Sequence, residues 1–569
     1  MTEKNTTDRT SAAQSDFWVF RDGKKVMGGA IWLDELRSLM CALLQDLGNK
    51  SLQLDALIQV GEFESAVADS GSEVSAIASL TDALAEFVIT GESASLASRV
   101  AALGNFIATP TLATSPPEGF SYYALHPIDF AYAAIRALPS SRTVAVIGVR
   151  SIGTTLSAVT AAALQQAGIP AERITVRPTG HPYERTLQFS EEELHWIKRH
   201  RQSHVRFLIV DEGPGRSGST FLAVGEALVG AGVSAGDIIL VGSRVPDIDQ
   251  LCASKARERW SRYRFVAACS DTYARFSACT YLGGGEWRTM FYPDCSAWPA
   301  CWPQMERLKF LSPDRRHLFK FEGLGRMGRA ARSCARRLAE AAFGPQVEDG
   351  GDGFSSYEFL GTRALTRTDL SVALLEHCAD YCVFRSREFQ IAGSDVSQLW
   401  EMLNFNVSQE FGTELNLQPG DLQTEHPILV DGRMQPFEWI AAEGGRILKT
   451  DASTHGDDHF FPGPTDVAWD IAGTAVEWDL APDALSFLTA RYRQLSGDDL
   501  KPRLPHFMLA YAVLRLASCQ MAMSTVFGSA EEVRLQSAYR FYRAQAQGWI
   551  AKVQRGRGRR VEKDHLQAA

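Results

Sequence analysis

The sequence predicts a multidomain α/β and α+β protein: an N-terminal helical region, a parallel-sheet domain and a C-terminal domain of two lobes. Three observations predict it. Apolar residues recur at helical spacing from Ile31 to Leu103, strand and helix patterns alternate from Thr143 to Val241, and a strand–helix–strand succession after Leu318 precedes a long helix-rich stretch. With 569 residues, 45% hydrophobic and 22% charged, the chain has room for three or four domains of about 100 to 200 residues.

The domain plan read from these patterns is a disordered tail (1–15), a helical domain (16–115), the parallel-sheet domain (116–250), a connecting segment (251–305), the two-lobed domain (306–553) and a basic tail (554–569). In the helical lead, Leu36, Leu39, Leu43 and Leu44, then Leu52, Leu54, Leu57 and Ile58, mark the apolar stripes. The three prolines between Thr109 and Gly119 read as a linker. Next come a strand at Thr143–Val149, a helix at Ser157–Ala167, strands at Arg173–Val176 and Val205–Val210, a helix at Phe221–Gly230 and a strand at Asp237–Val241. Such alternation implies a mostly parallel sheet covered on both faces, with ligands at the carboxyl ends of its strands.

The net charge of -9 argues against nonspecific nucleic-acid binding, and Arg555, Arg557, Arg559 and Arg560 read as a solvated end. No apolar run approaches the roughly 20 residues that span a bilayer, and Met1 to Ser15 lacks a signal-peptide core. A cytoplasmic protein acting on small molecules, with neither membrane nor nucleic-acid partner, is expected; oligomeric state is left open. The ten cysteines form no CxxC pair, so free thiols and no structural zinc are expected, with Cys378 and Cys382 on one face of a buried helix.

Two loops fall at strand ends. Phe207-Leu-Ile-Val-Asp-Glu-Gly-Pro-Gly-Arg-Ser-Gly-Ser-Thr220 reads as a buried strand ending in Asp211 and Glu212 and opening into small residues. Gly213, Gly215 and Gly218 let the main chain aim N–H groups at a phosphate, beside Arg216 and the hydroxyls of Ser217, Ser219 and Thr220. Arg150, Ser151, Gly153 and Thr154 follow the first strand at a helix amino terminus. Arg177 and Arg185 are candidate phosphate clamps, with His181 between them as a proton-transfer candidate.

These loops, in this order, resemble the phosphoribosyl-pyrophosphate (PRPP) and pyrophosphate loops of type I phosphoribosyltransferases over roughly residues 120 to 245, with the acidic loop one residue longer than usual. The resemblance implies a phosphoribosyltransferase-like glycosyltransferase with PRPP and Mg2+ as ligands. Asp211 and Glu212 would be the catalytic acids holding ribose or metal, Gly215 to Thr220 would cradle the 5′-phosphate, and Arg150 to Thr154 would receive pyrophosphate.

In the second half, Leu318 to Gly325 is an alternating strand carrying Lys320, followed by a helix at Gly328–Ala342 and a strand at Ser355–Leu360. Asp431-Gly432-Arg433-Met434-Gln435-Pro436-Phe437-Glu438 aligns without gaps on the His-Gly-Asp-x-x-Pro-x-Asn loop of aminoglycoside-phosphotransferase-like kinases, which the stretch from about 306 to 550 resembles. The resemblance implies ATP and Mg2+ as ligands, Lys320 as the ATP-phosphate lysine, Asp451 as the metal-binding aspartate and Asp470 as a structural aspartate.

Arg433 stands at the family's catalytic aspartate and Glu438 at its metal-binding asparagine, and near Cys334 the expected helix glutamate is missing, Glu340 being the nearest acid. An arginine cannot accept a hydroxyl proton. Asp431 or His455 is therefore the candidate substitute base, and Glu438, Asp451, Asp457 and Asp458 are candidate magnesium ligands. His455 with His459 is an alternative transition-metal pair, disfavoured by Gly456 and Pro462. Two functions follow: an enzyme that makes or modifies a nucleotide-like small molecule, or a regulatory sensor binding PRPP or ATP without turnover.

Overall fold

The computed structural model describes residues 25–138, 143–201, 205–268, 271–393, 395–415, 417–424, 426–457 and 460–567. The tail expected at 1–15 lies outside them.

The helical lead forms α1 (Gly29–Gln45), α2 (Lys50–Asp69), α3 (Ser75–Thr90) and α4 (Leu96–Ala102). Asn49 caps α2 by accepting the Leu52 N–H at 3.1 Å. Leu36, Leu43, Leu54, Leu57 and Ile58 are buried as their spacing predicts, whereas Leu44 is exposed. The expected linker contains a strand instead: β2 (Thr111–Thr114) pairs antiparallel with β1 (Lys25–Gly28), its alternate residues Leu112 and Thr114 facing inward.

The next unit is a five-stranded, all-parallel sheet of order β4-β3-β7-β8-β9, built from β3 (Val144–Val149), β4 (Ala171–Val176), β7 (Arg206–Val210), β8 (Ile238–Gly242) and β9 (Arg264–Ala267). Between β4 and β7 stands a hairpin, β5 (Thr179–His181) with β6 (Glu184–Thr186). The short α5 (Glu118–Ser121) precedes α6 (Pro127–Ala137) and α7 (Ile152–Gln166), which share a core with Val144 and Val146 of β3. The alternate residues Ala145, Ile147 and Val149 pack toward α8 (Glu191–Arg201), α9 (Ser219–Gly230) and α10 (Ala256–Trp260). Burial on both faces explains the continuous apolar runs of β3 and β7. The unit runs past the boundary expected at 250, because β9 is a short edge strand whose Arg264-Phe-Val-Ala267 carries no buried apolar run.

The connecting segment also supplies β10 (Thr280–Tyr281), the first strand of a five-stranded antiparallel sheet of order β10-β11-β12-β14-β13. Its others are β11 (Lys309–Leu311), β12 (His317–Phe321), β13 (Val347–Gly351) and β14 (Phe354–Glu358), with α11 (Gly325–Glu340) inserted after β12. Phe321 and Phe354 share a core with the parallel sheet's Leu208 and Val210, so the two units are joined by one apolar cluster.

The second lobe holds a small sheet, β15 (Arg363–Ala364), β16 (Trp439–Ala441) and β17 (Ile447–Lys449), against a helical body. That body comprises α12 (Val372–Glu388), α13 (Ser397–Phe411), α14 (Ala468–Glu477), α15 (Pro482–Ser496), α16 (Leu504–Met523) and α17 (Ala530–Gln567). Cys378 and Cys382 are buried one turn apart on α12, the apolar face their spacing predicts. Among the described residues no helix is long and apolar enough to cross a membrane.

Candidate active site

A cavity of about 1010 Å³ lies between the antiparallel sheet and the helical lobe. Strand pairing sets Lys309 of β11 opposite Lys320 of β12, so two lysines stand side by side on one face. Their mutual repulsion is relieved by Asp451, just past the end of β17: its carboxylate touches the Lys320 Nζ and lies 3.7 Å from the Lys309 Nζ. Glu322, two residues beyond Lys320 on the same strand face, closes on its Nζ at 3.4 Å. Glu322 is buried and accepts hydrogen bonds from Ser355, Tyr357 and Ser453, the last reaching across from the other lobe at 2.7 Å. It does for Lys320 what a helix glutamate was expected to do; α11 presents Cys334 instead, buried in the core.

Burial pushes the Asp451 carboxyl up, but Lys320, Lys309 and His455 outweigh it and hold it well below the usual carboxylate range. Its backbone is in the left-handed region, φ 60°, which aspartate tolerates better than most side chains do. Glu438 and His455 complete a cluster: one ligand atom from each of Glu438, Asp451 and His455 lies within 4.8 Å of the others. Two carboxylates and a ring nitrogen in that spacing fit a divalent cation. Of the other expected metal ligands, the Asp457 side chain and Asp458 lie outside the described residues, as does His459.

Beneath the cluster is a buried charge network. The Lys449 ammonium lies 2.9 Å from Glu438 and 3.3 Å from Asp431. Burial raises the Glu438 carboxyl to about 7 against the pull of Lys449. Asp470, at the start of α14, accepts the Asp431 N–H at 2.9 Å and the Gly432 N–H at 3.1 Å, fixing the loop as its expected structural role requires.

Of the two candidate bases, Asp431 and His455, Asp431 is not placed for that role. Its carboxylate is fully buried and accepts from Tyr381, whose hydroxyl also takes a bond from the buried Arg385. It is absent from the cavity lining, which takes Gly432, Arg433, Gln435 and Glu438 from this loop. An acid packed among Tyr381, Lys449 and Arg385 stabilises the loop rather than a reacting proton. His455 does line the cavity, its Nε2 3.7 Å from Asp451. Gly432, at φ 88°, lets the loop pass so close to His455 that a Cβ would stand 3.0 Å from its main chain.

The far wall of the cavity comes from the connecting segment. Trp287, Phe291, Tyr292, Trp298 and Trp302 line it, and Trp287 lies over Phe437 with ring centres 5.3 Å apart. The segment is pinned to α17, where Glu531 accepts from Arg288 and from the Cys301 N–H, both at 2.8 Å.

The residues expected to bind phosphate lie apart from the cleft, in the parallel-sheet unit. Strand order places the loops after β3 and β7 on either side of the point where the order of strand addition reverses. Asp211 and Glu212 sit there, and burial raises them to about 6 and about 8, with Glu118 reinforcing the effect at Glu212. Several expected phosphate ligands are engaged within the protein. Arg177 pairs with Asp69 of α2, as does Arg150 at 3.3 Å, and the Ser151 N–H donates to Ser65 of α2 at 3.0 Å. Ser217 and Ser219 donate to the Pro182 carbonyl in the β5–β6 turn at 2.9 and 2.6 Å. Gly153 and Thr154 lie inside α7, Thr154 fully buried, while Gly215 and Arg216 are exposed. Arg185 is half-buried, and its charge, like that of Arg177, lowers Asp211 against burial. Gly218 begins α9 at φ 67° against Trp260, and Thr220 follows in the first turn.

No family model matches the chain, and no curated protein matches it. Solved structures similar to part of it include a choline/ethanolamine kinase family protein from Mesorhizobium loti, 12% identical, with a TM-score of 0.30, covering 43% of this chain and 89% of that one. Another is a choline kinase from Streptococcus pneumoniae, 13% identical, TM-score 0.27, covering 42% and 89%. A third is an aminoglycoside phosphotransferase from Alicyclobacillus acidocaldarius, 11% identical, TM-score 0.28, covering 44% and 90%.

Proposed function

We propose that the cleft between the two lobes binds a magnesium–nucleoside triphosphate and transfers its terminal phosphoryl group to a small molecule. The observation that carries this reading is the contact of Lys320 with Asp451, from opposite lobes, on a cavity large enough for a nucleotide and an acceptor. Lys320, held by Glu322, would neutralise phosphate oxygens, with Lys309 beside it. Asp451 and Glu438 would hold magnesium, with His455 adjacent; the ion would screen the triphosphate and the charge that develops on it.

Calorimetric titration of the full chain with Mg·ATP tests the reading. Binding is expected, and Asp451→Asn should reduce turnover at least about a hundredfold, the usual cost of losing one electrostatic contact to a transferring group. Absence of Mg·ATP binding to the folded wild-type protein would overturn it.

A second reading concerns the α/β unit, and the position of Asp211 and Glu212 at the sheet's switch point favours it. There the unit would bind a sugar phosphate such as PRPP with magnesium on the acidic pair. Engagement of Arg150, Arg177, Ser217 and Ser219 within the protein means that α2 and the β5–β6 hairpin would have to release them on binding. Calorimetry with Mg·PRPP tests this, and affinity unchanged by Asp211→Asn with Glu212→Gln would overturn it.

A further inference from the structure

Arg433 occupies the sequence position of the base in the kinases that the loop resembles, and it faces the cavity. Among the described residues its guanidinium makes no hydrogen bond or ion pair, although its charge is felt at Lys309 and at His455. The neighbouring carboxylate expected as a substitute base, Asp431, is sealed beneath the loop against Tyr381 and Lys449. At the point where a phosphoryl group would be transferred, Arg433 shares the cavity with Lys309, Lys320 and Lys449, but those lysines are met by Asp451, Glu322, Glu438 and Asp431, which leaves the Arg433 guanidinium to meet an incoming anion.

A neutral hydroxyl acceptor would need a base at this point and would gain nothing from an arginine. An acceptor that is already an anion needs the reverse. It brings its own lone pair, has no proton to lose, and must be held against the repulsion of the triphosphate, which a planar guanidinium does by two parallel hydrogen bonds.

We propose that the acceptor's nucleophile is an oxyanion, a carboxylate or a phosphate monoester, held at the transfer point by Arg433. The inference rests on the phosphotransferase reading above. The acceptor oxygen forms a bond to the γ-phosphorus while the bond from that phosphorus to the β–γ bridging oxygen breaks. The electron pair of that bond leaves with the nucleoside diphosphate, no proton changes hands, and the product is an acyl phosphate or a diphosphate. The wall of Trp287, Trp298 and Trp302 offers flat apolar surface to the body that carries the oxyanion.

The test uses the full chain saturated with Mg·ADP and calorimetric titration of three probes of one shape: phenyl phosphate, benzoate and benzyl alcohol. At least one anion should bind while benzyl alcohol does not, and whichever binds tells a phosphate-monoester acceptor from a carboxylate one. Arg433→Ala should weaken that anion about tenfold or more, the worth of a charge-assisted hydrogen-bond pair. Its Mg·ADP affinity should stay within about twofold, which also shows that the variant is folded. Equal binding of benzyl alcohol, no binding of either anion, or undiminished anion binding by Arg433→Ala would overturn the oxyanion acceptor while leaving the phosphotransferase reading intact. Failure of the wild-type protein to bind Mg·ADP would overturn both.

Discussion

In the cleft, Asp451 lies against Lys320 and Lys309, and Glu438 and Asp431 share Lys449. In the α/β unit, Asp211 and Glu212 are raised by burial and, among the described residues, form no ion pair. The two regions collect carboxylates at comparable places, the end of a strand beside a loop, but the first closes ion pairs on them, whereas in the second Arg177 and Arg185 act on Asp211 only through their charge. A carboxylate met by strong protein cations is held toward its ionised form before any ligand arrives, as Asp451 is; burial without an ion pair raises it, as it raises Asp211 and Glu212. On the phosphotransferase reading the cleft would meet an incoming triphosphate with its charges already fixed, whereas the acidic pair would gain its charge together with a cation.

Substitution on each side should move stability in opposite directions. Lys449→Met strands Glu438 and Asp431 in the core, and loss of one partner from a buried ion pair costs about 3–5 kcal/mol. Urea unfolding should show that loss for the second lobe, and adding Glu438→Gln should recover a large part of it. If Lys449→Met is neutral, the contrast between the two regions fails.

An effect of opposite sign is expected at Glu212. Its native pKa of about 8 exceeds the unfolded value of roughly 4.3, so between these the native state binds the extra proton. Stability then falls as pH rises from about 5 to 8, by at most about 1.4 kcal/mol per pH unit from this group. Glu212→Gln, neutral at every pH, should flatten that decline and leave the protein more stable at pH 8, read as melting temperature against pH. Magnesium should act in the same direction on the wild type, by stabilising the ionised form. An unaltered slope in Glu212→Gln would show that the acidic pair is already compensated.

The contrast was partly legible before folding. The apolar runs of β3 and β7, Lys320 on an alternating strand, and Asp451 and Asp470 at fixed spacing after Gly432 all follow from local pattern. The partners that decide the chemistry did not. Lys309 becomes a neighbour of Lys320 only through strand register, and Lys449 meets Asp431 only because the loop 442–446 brings β17 back along β16. Glu322 was within reach, since two residues along a strand is the same face as Lys320. Asp69 was not: it lies 108 residues before Arg177, and no local pattern announces that a helix of another unit will pair with that arginine. The edge strand β9 escaped for a related reason, as four residues half-covered by α6 carry too little periodicity to read.

Asp69 supplies the finest test. It does for Arg150 and Arg177 what Asp451 does for the lysines of the cleft, but near the surface, where an ion pair is worth at most about 1 kcal/mol. If the loop after β3 binds an anion, Asp69 competes with that anion for the same two guanidinium groups. Asp69→Asn keeps the shape and removes the competitor, so affinity for magnesium pyrophosphate should rise about three- to fivefold, the equivalent of that 1 kcal/mol. Stability should change by less than about 1 kcal/mol, because the arginines regain water. A rise in affinity would make α2 a lock on the loop that a tight ligand can displace. An unchanged affinity would mean that Arg150 and Arg177 serve only to dock α2 on the sheet, and would leave the acidic pair without the cations that a sugar-phosphate site needs.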